Sequence, residues 1–319
     1  MEQTDIIPNV SQLKLPKTHR FGGSHGLLIE AGISGNILID CNFPKQLMRR
    51  FLKSLNNRVD YYFVTHFHMD HTAHVHLIEE WTKAAILMPK QEIHCIKDLN
   101  NLIEFAGIGA AGLAEHWKEF GYKILKFREC KSVESFTPGT KFTFGDISIQ
   151  TLHLPGHSPG HTGFIISSSS HKEKILHVAD IGLDSFGPWY GFENICSLSA
   201  YFESIQKVEN LLQDCDFLVS SHTDVFTNNF ETSVNQMRLK IMERENLIYN
   251  TIKNHKNPIS IDQINALDLI FSKNKFSTPQ KELYQFWERG FLQHHLARLL
   301  KQQKISQTNS NYFVKSEKL

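Results

Sequence analysis

Apolar and polar residues alternate along this chain in two different rhythms. Residues 25–41, HGLLIEAGISGNILIDC, hold two apolar runs divided by GISG, which predicts strands at about 25–31 and 36–41. PKQLMRRFLKSL, 44–55, switches to helical spacing behind a leading proline. VDYYFVTH, ending at His66, is an unbroken run of β-formers, the mark of a strand covered on both faces. A helix over 72–82 and a short strand, AAILMP, follow. This alternation predicts an α/β layered architecture.

Residues 91–121 interrupt the rhythm. They predict an inserted helical pair, broken at GIGAAG, lying over the site. The small residues of EFAGIGAAGLAEHW point to close helix packing. Strands resume with YKILKF, KFTFGDISIQTLHLP, HTGFIISS, EKILHVAD and DFLVSSH. Beyond His222 strand signals cease. Helices are predicted at 232–255, 261–271, 279–288 and 291–303, followed by a frayed tail after Ile305. The chain thus divides into a body, 1–230, and a helical extension, 231–319.

Composition excludes more than it suggests. An apolar fraction of 41% and a charged fraction of 21% are those of an ordinary globular protein. A net charge of +1 leaves no electrostatic footprint for nucleic acid or anionic lipid. No segment approaches the roughly 18 consecutive apolar residues of a membrane span, and the first residues hold no apolar signal core. The five cysteines are scattered and form no CxxC, so neither a disulfide framework nor a zinc ribbon is indicated. The expectation is a cytoplasmic protein with a small-molecule substrate, no nucleic-acid or membrane partner, and room for a homodimer.

Histidine is the anomaly, with 18 in the chain. VTHFHMDH, residues 64–71, sets His66, His68, Asp70 and His71 side by side at the end of a predicted strand. Imidazole suits zinc, iron, nickel or copper, and a carboxylate tolerates harder cations. Four ligands this close cannot all serve one tetrahedral ion. They divide into two sites, His66 and His68 facing one, Asp70 and His71 the other. Further ligand types each follow a predicted strand: His157 in LHLPGHSPGHTG, Asp180 in ILHVADIG and His222 in FLVSSHTD. A single carboxylate such as Asp180 can bridge two ions about 3.5–4 Å apart.

Together these motifs resemble the metallo-β-lactamase fold superfamily, in its order, from about Leu27 to His222. The resemblance implies a four-layer αββα sandwich with a dinuclear site at one edge. It implies that His66, His68 and His157 bind one ion, that Asp70, His71 and His222 bind the other, and that Asp180 bridges. Asp40, in ILIDC, matches a position whose implied role is to orient a ligand histidine. The cofactors implied are two divalent ions, zinc first, with iron or manganese as alternatives. The end of the chain, FWERGFLQHHLARLLKQQKI, resembles the helical or winged-helix-like extensions of some superfamily hydrolases.

The remaining histidines have plainer expectations. His161 pins its turn; His74 and His76 are solvated or support the site; His153 and His177 belong to the core; His294 and His295 are partly exposed. DSFGPWYG, 184–191, is a stiff aromatic loop just after Asp180, and Tyr190 is a candidate hydrogen-bond donor to a developing oxyanion. The function expected is a dinuclear metal-dependent hydrolase using a metal-bridging hydroxide on a small ester, thioester or lactone, with Asp70 orienting the nucleophile. The alternatives are a mononuclear iron persulfide dioxygenase of the same fold, or a phosphodiesterase or nuclease.

Overall fold

The computed structural model describes residues 1–15, 24–276 and 280–314. Seven strands form the first sheet in chain order: β1 (Glu2–Ile7), β2 (Val10–Lys14), β3 (Gly26–Glu30), β4 (Asn36–Ile39), β5 (Tyr61–Phe63), β6 (Ala85–Pro89) and β7 (Val133–Phe136). Pairing is antiparallel up to β4 and parallel from β4 to β7. The second sheet holds β8 (Lys141–Phe144), β9 (Ile147–His153), β10 (Thr162–Ser168), β11 (Lys174–His177) and β12 (Phe217–Val219), in the order β12-β11-β10-β9-β8.

Side-chain alternation explains how the sheets stack. Leu27, Ile29, Ile37, Ile39 and Phe63 from the first sheet meet Ile149, Phe164, Ile166, Ile175 and Val219 from the second in one inner core. Their neighbours Leu28, Leu38, Tyr62, Leu176 and Leu218 point the other way, into a second core built with helices. The helices are α1 (Lys45–Ser54), α2 (Met69–Thr72), α3 (His76–Trp81), α4 (Ile93–Lys97), α5 (Leu99–Phe105), α6 (Ala114–Glu119) and α7 (Leu198–Leu211). This is the αββα sandwich expected. No helix among the described residues is long and apolar enough to cross a membrane.

Several elements depart from the sequence expectation. The hairpin β1–β2 and strand β7 are additional. YKILKF is not a strand: Phe120–Leu125 forms a π-helical turn after α6. Packing overrides its β propensity, since Gly121 lies where a Cβ would come within 2.9 Å of the Met69 methyl. The helix expected at 72–82 is divided into α2 and α3.

The extension holds α8 (Phe230–Asn254), β13 (Ile259–Ser260), α9 (Ile261–Asn265), α10 (Gln280–Lys301), β14 (Ser306–Thr308) and β15 (Asn311–Phe313). Helix, strand, helix, helix and hairpin in this order, with sheet order β13-β15-β14, make a winged helix. Of the tail expected to fray, residues 306–314 are ordered, with Ile305 and Tyr312 buried against Ile248, Leu292 and Leu296; residues 315–319 lie outside the described residues. Helix α9 is shorter than the expected 261–271 because buried Glu288 accepts the N–H groups of Leu269, Ile270 and Phe271 in a loop. The helices expected at 279–288 and 291–303 are one, α10; residue 279 lies outside the described residues. Gly290 serves close packing there instead of a break.

Candidate metal centre

Three strands overshoot the sheets by the same amount. His66, Asp180 and His222 each stand three residues beyond the last residue of β5, β11 and β12, namely Phe63, His177 and Val219. The binding edge is thus the C-terminal edge of the parallel strands, where α/β proteins hold ligands. Asp40, just past β4, and Ala179, just past β11, have left-handed backbones (φ 49° and 46°). His157 arrives on the turn after β9. Gly156 (φ 130°) is required there, since a Cβ would lie 2.5 Å from the Tyr201 Cα of α7.

All seven expected ligands come together. His66, His68 and His157 form one group; Asp70, His71, Asp180 and His222 form the other; within each, the ligand atoms lie within 4.8 Å of one another. The Asp180 Oδ2 is 3.9 Å from both His66 Nε2 and His157 Nε2, 3.2 Å from His71 Nε2 and 3.0 Å from His222 Nε2. It therefore lies between the groups. The Asp70 Oδ2 is 3.2 Å from His222 Nε2 and 3.5 Å from His71 Nε2.

Hydrogen bonding fixes which ring nitrogens are free. Thr65 Oγ1 donates to Asp40 at 2.5 Å and accepts from His66 Nδ1 at 2.9 Å. His71 Nδ1 donates to Asp40 at 2.7 Å. His157 Nδ1 donates to the Trp189 carbonyl oxygen at 2.9 Å. For His66 and His157 this donation, as assigned from the partners, leaves a bare Nε2 turned inward, whereas the His71 Nε2 faces the Asp180 carboxylate at 3.2 Å. His66 Nε2 and His157 Nε2 then face each other at 3.1 Å, lone pair to lone pair. The His68 Nε2 and Asp180 Oδ1 are buried with no hydrogen-bond partner among the described residues. Such a donor set suits cations. Asp40 thus orients both His66 and His71.

Electrostatics agree. Burial, reinforced by the facing imidazoles, holds His66 and His157 well below the usual histidine range, and burial sets His68 at about 4. Neutral imidazole is the ligand form. Burial also works against charge at His71 and His222, but Asp180 and Asp70 overcome it, raising His71 well above its ordinary value and His222 to about 10. Burial would raise the carboxyls of Asp180 and Asp70, yet His71 and His222 hold both well below the carboxylate range. The two carboxylates therefore call for positive charge at this spot.

His161 stands apart from the ligand groups. Its Nδ1 donates to the Leu154 carbonyl at 2.8 Å and its Nε2 accepts the Asp180 N–H at 3.0 Å, so neither nitrogen is left for an ion. His153 Nε2 meets the Pro159 carbonyl at 2.8 Å. His177 is a core residue against Phe164. His74 is buried and His76 half-buried, and neither joins a ligand group. His294 is half-buried. His295, expected to be partly exposed, is fully buried.

That burial bears on Tyr190. The tyrosine is completely buried, and its hydroxyl meets His295 Nε2 at 2.9 Å and Arg244 at 3.4 Å. It does not line the cavity beside the metal groups. The oxyanion role expected for it has no geometric basis, because its hydroxyl is held by α8 and α10. Its neighbour Trp189 forms the wall instead, 5.1 Å ring to ring from His68.

Two positioning residues carry no signal in the sequence. Buried Glu92 accepts the Phe67 N–H at 2.8 Å and the Gly160 N–H at 2.5 Å, tying the HFH loop to the turn of His157. Asn42 donates to the Met69 and Asp70 carbonyl oxygens at 3.1 and 2.6 Å and accepts the His74 N–H at 2.7 Å, bracing the other half of the motif. Both act on backbone groups, which leave no residue-type pattern at the receiving positions.

The family model of the metallo-beta-lactamase superfamily matches residues 19–222, most of the chain, and the protein belongs to that superfamily. The structure is similar to a metallo-beta-lactamase family protein, TTHA1429, from Thermus thermophilus (TM-score 0.70, 15% identity, 97% of this chain and 99% of that one). It is also similar to a beta-lactamase domain protein from Burkholderia ambifaria (TM-score 0.69, 18% identity, 98% and 94%). TTHA1623, in a di-iron-bound form, has a TM-score of 0.50 at 20% identity and covers 69% of this chain and 96% of its own. No curated protein matches in sequence.

Proposed function

We propose that the protein is a dinuclear metal-dependent hydrolase of a small ester, thioester or lactone. The observation that carries this is Asp180, whose Oδ2 lies within 3.9 Å of an imidazole nitrogen of both ligand groups. His66, His68 and His157 would hold one ion, Asp70, His71 and His222 the other, and Asp180 both. Two bound divalent ions supply Lewis acidity and bring the pKa of a water molecule down toward ~7. Asp70, half-buried at the cavity floor, orients the attacking water and carries a proton toward the leaving group. Asp40 and Thr65 keep His66 and His71 aimed. No nucleophilic side chain is needed.

Zinc is the first choice for an imidazole-rich set with carboxylates; iron, which TTHA1623 holds, and manganese are the alternatives. The complete second ligand group favours two ions over the single iron of a dioxygenase. Among the described residues no lysine or arginine lines the cavity, which weighs against a phosphodiester or nucleic-acid substrate.

The test is elemental analysis of protein purified without added metal, followed by ester, thioester, lactone and phosphodiester substrates. Two ions per chain with turnover of a carbonyl substrate is the expected result. One iron per chain with oxygen uptake on a persulfide overturns it.

A further inference from the structure

We infer that the cavity beside the metal groups binds an uncharged, apolar acyl group, the part of the substrate that carries the scissile carbonyl. This rests on the hydrolase reading above and names its substrate class.

The cavity has a volume of about 490 Å³, within the ~300–1,000 Å³ of small-molecule sites. One end is the metal groups. From there a path of aromatic rings leads away. Trp189 and Phe192 lie 5.1 and 5.5 Å from His68; Trp287 lies 6.0 Å from Trp189; Trp117 lies 6.0 Å from Trp287. Three separate parts of the chain supply these walls: the inserted segment, the aromatic loop and helix α10 of the extension.

Charge is missing from this path. Besides Asp70 and Asp180, the cavity's carboxylate is Asp184, whose Oδ1 accepts the N–H groups of Phe186 and Gly187 and so serves its own loop. Among the described residues no lysine or arginine lines it to receive a carboxylate or phosphate. A charged group seated there would lose its water without gaining a partner. A hydrocarbon group loses only unfavourable hydration.

The wall is also preformed. Trp189 is fixed through its carbonyl oxygen on His157, and Arg244 donates to the carbonyl oxygens of Phe186 and Pro188, both at 2.5 Å. The aromatic surface and the ligand His157 therefore move as one piece. An acyl group lying on Trp189 places its carbonyl toward the ligand groups. Water then adds to that carbonyl, the bond to the leaving oxygen or sulfur breaks, and a carboxylic acid and an alcohol or thiol result.

The test uses the metal-loaded full chain and N-acetylcysteamine thioesters, with one leaving group and acyl chains from acetyl to decanoyl. We expect kcat/KM to rise about fourfold per methylene until the cavity is filled, the equivalent of about 0.8 kcal/mol for each buried CH₂. The succinyl thioester should fall at least tenfold below the butanoyl. Trp287→Ala and Trp117→Ala should flatten the slope, and Trp117→Phe should keep it. In parallel, neutral and uncleavable fatty amides are titrated by the fluorescence of the cavity tryptophans. Amide affinity graded with chain length, but no thioester, ester or lactone turned over, would discard the hydrolase reading and leave the apolar site standing. A flat amide series, or turnover independent of acyl length, or equal turnover of succinyl and butanoyl thioesters, overturns the inference.

Discussion

A Cβ on Gly290 of α10 would stand 2.0 Å from the carbonyl oxygen of Gly191. That contact seats the winged helix directly on the aromatic loop, next to Trp189 and Tyr190.

Gly290→Ala therefore sets two effects against each other. Alanine should gain up to ~1 kcal/mol of helix propensity. The clash is with backbone, which cannot swing aside, and overpacking of this kind costs ~1–3 kcal/mol or more. Net destabilisation is expected in urea denaturation, with weaker Trp189 packing seen in near-ultraviolet circular dichroism. A raised midpoint would mean that the contact yields.

Tyr190→Phe should behave as a packing mutation. It leaves the buried His295 nitrogen without its 2.9 Å partner, a loss of ~1–3 kcal/mol in stability. Turnover per metal-loaded chain should stay within twofold of wild type. A hundredfold fall in kcat with unchanged melting would restore an oxyanion role.

Asp180→Asn keeps the size and removes the charge between the ligand groups. Elemental analysis should find less than two ions per chain, and hydrolysis should nearly vanish. His157→Gln should likewise lose an ion. His161→Gln should retain both at micromolar zinc, with affinity lowered ~10–100-fold through the slackened Asp180 backbone. Equal metal loss in the two histidine variants would make His161 a ligand.

Glu92 gives a pH signature. Burial raises its carboxyl to about 7, although the N–H groups of Gly160 and Phe67 favour the ionised form. A folded pKa above the unfolded value means stability that is full below about 4.5 and lost as pH rises through about 7. In metal-free protein, the unfolding free energy of wild type minus that of Glu92→Gln should fall by about 2–3 kcal/mol from pH 5 to pH 8. A level difference would show that Glu92 stays ionised throughout.

The two candidate ligand groups are legible in the sequence because each residue is a distinctive type placed just past an apolar run. The inner strands are legible for the same reason: Leu27, Ile37 and Phe63 sit in dense apolar stretches. The hairpin β1–β2 is not, since β1 is an edge strand with one buried residue, Ile7. Strands β14 and β15 span only three residues each, too few for a periodicity to register. Tyr190 misleads because nearness to Asp180 in sequence fixes the loop's position and not the direction of a hydroxyl. His295, 105 residues further on, sets that direction. Gly290 reads as a break because a glycine's need for room is visible only when the facing backbone is known.

The proposed ligands are divided between the two sheets. His66, His68, Asp70 and His71 follow β5 of the first; His157, Asp180 and His222 follow strands of the second. Each proposed ion would thus be gripped from both sides of the sandwich, and neither half alone presents a full set. Ions held this way act as rivets. Metal capture has to come late in folding, after the sheets have docked, and chelation should loosen the seam between the sheets before it unravels either one.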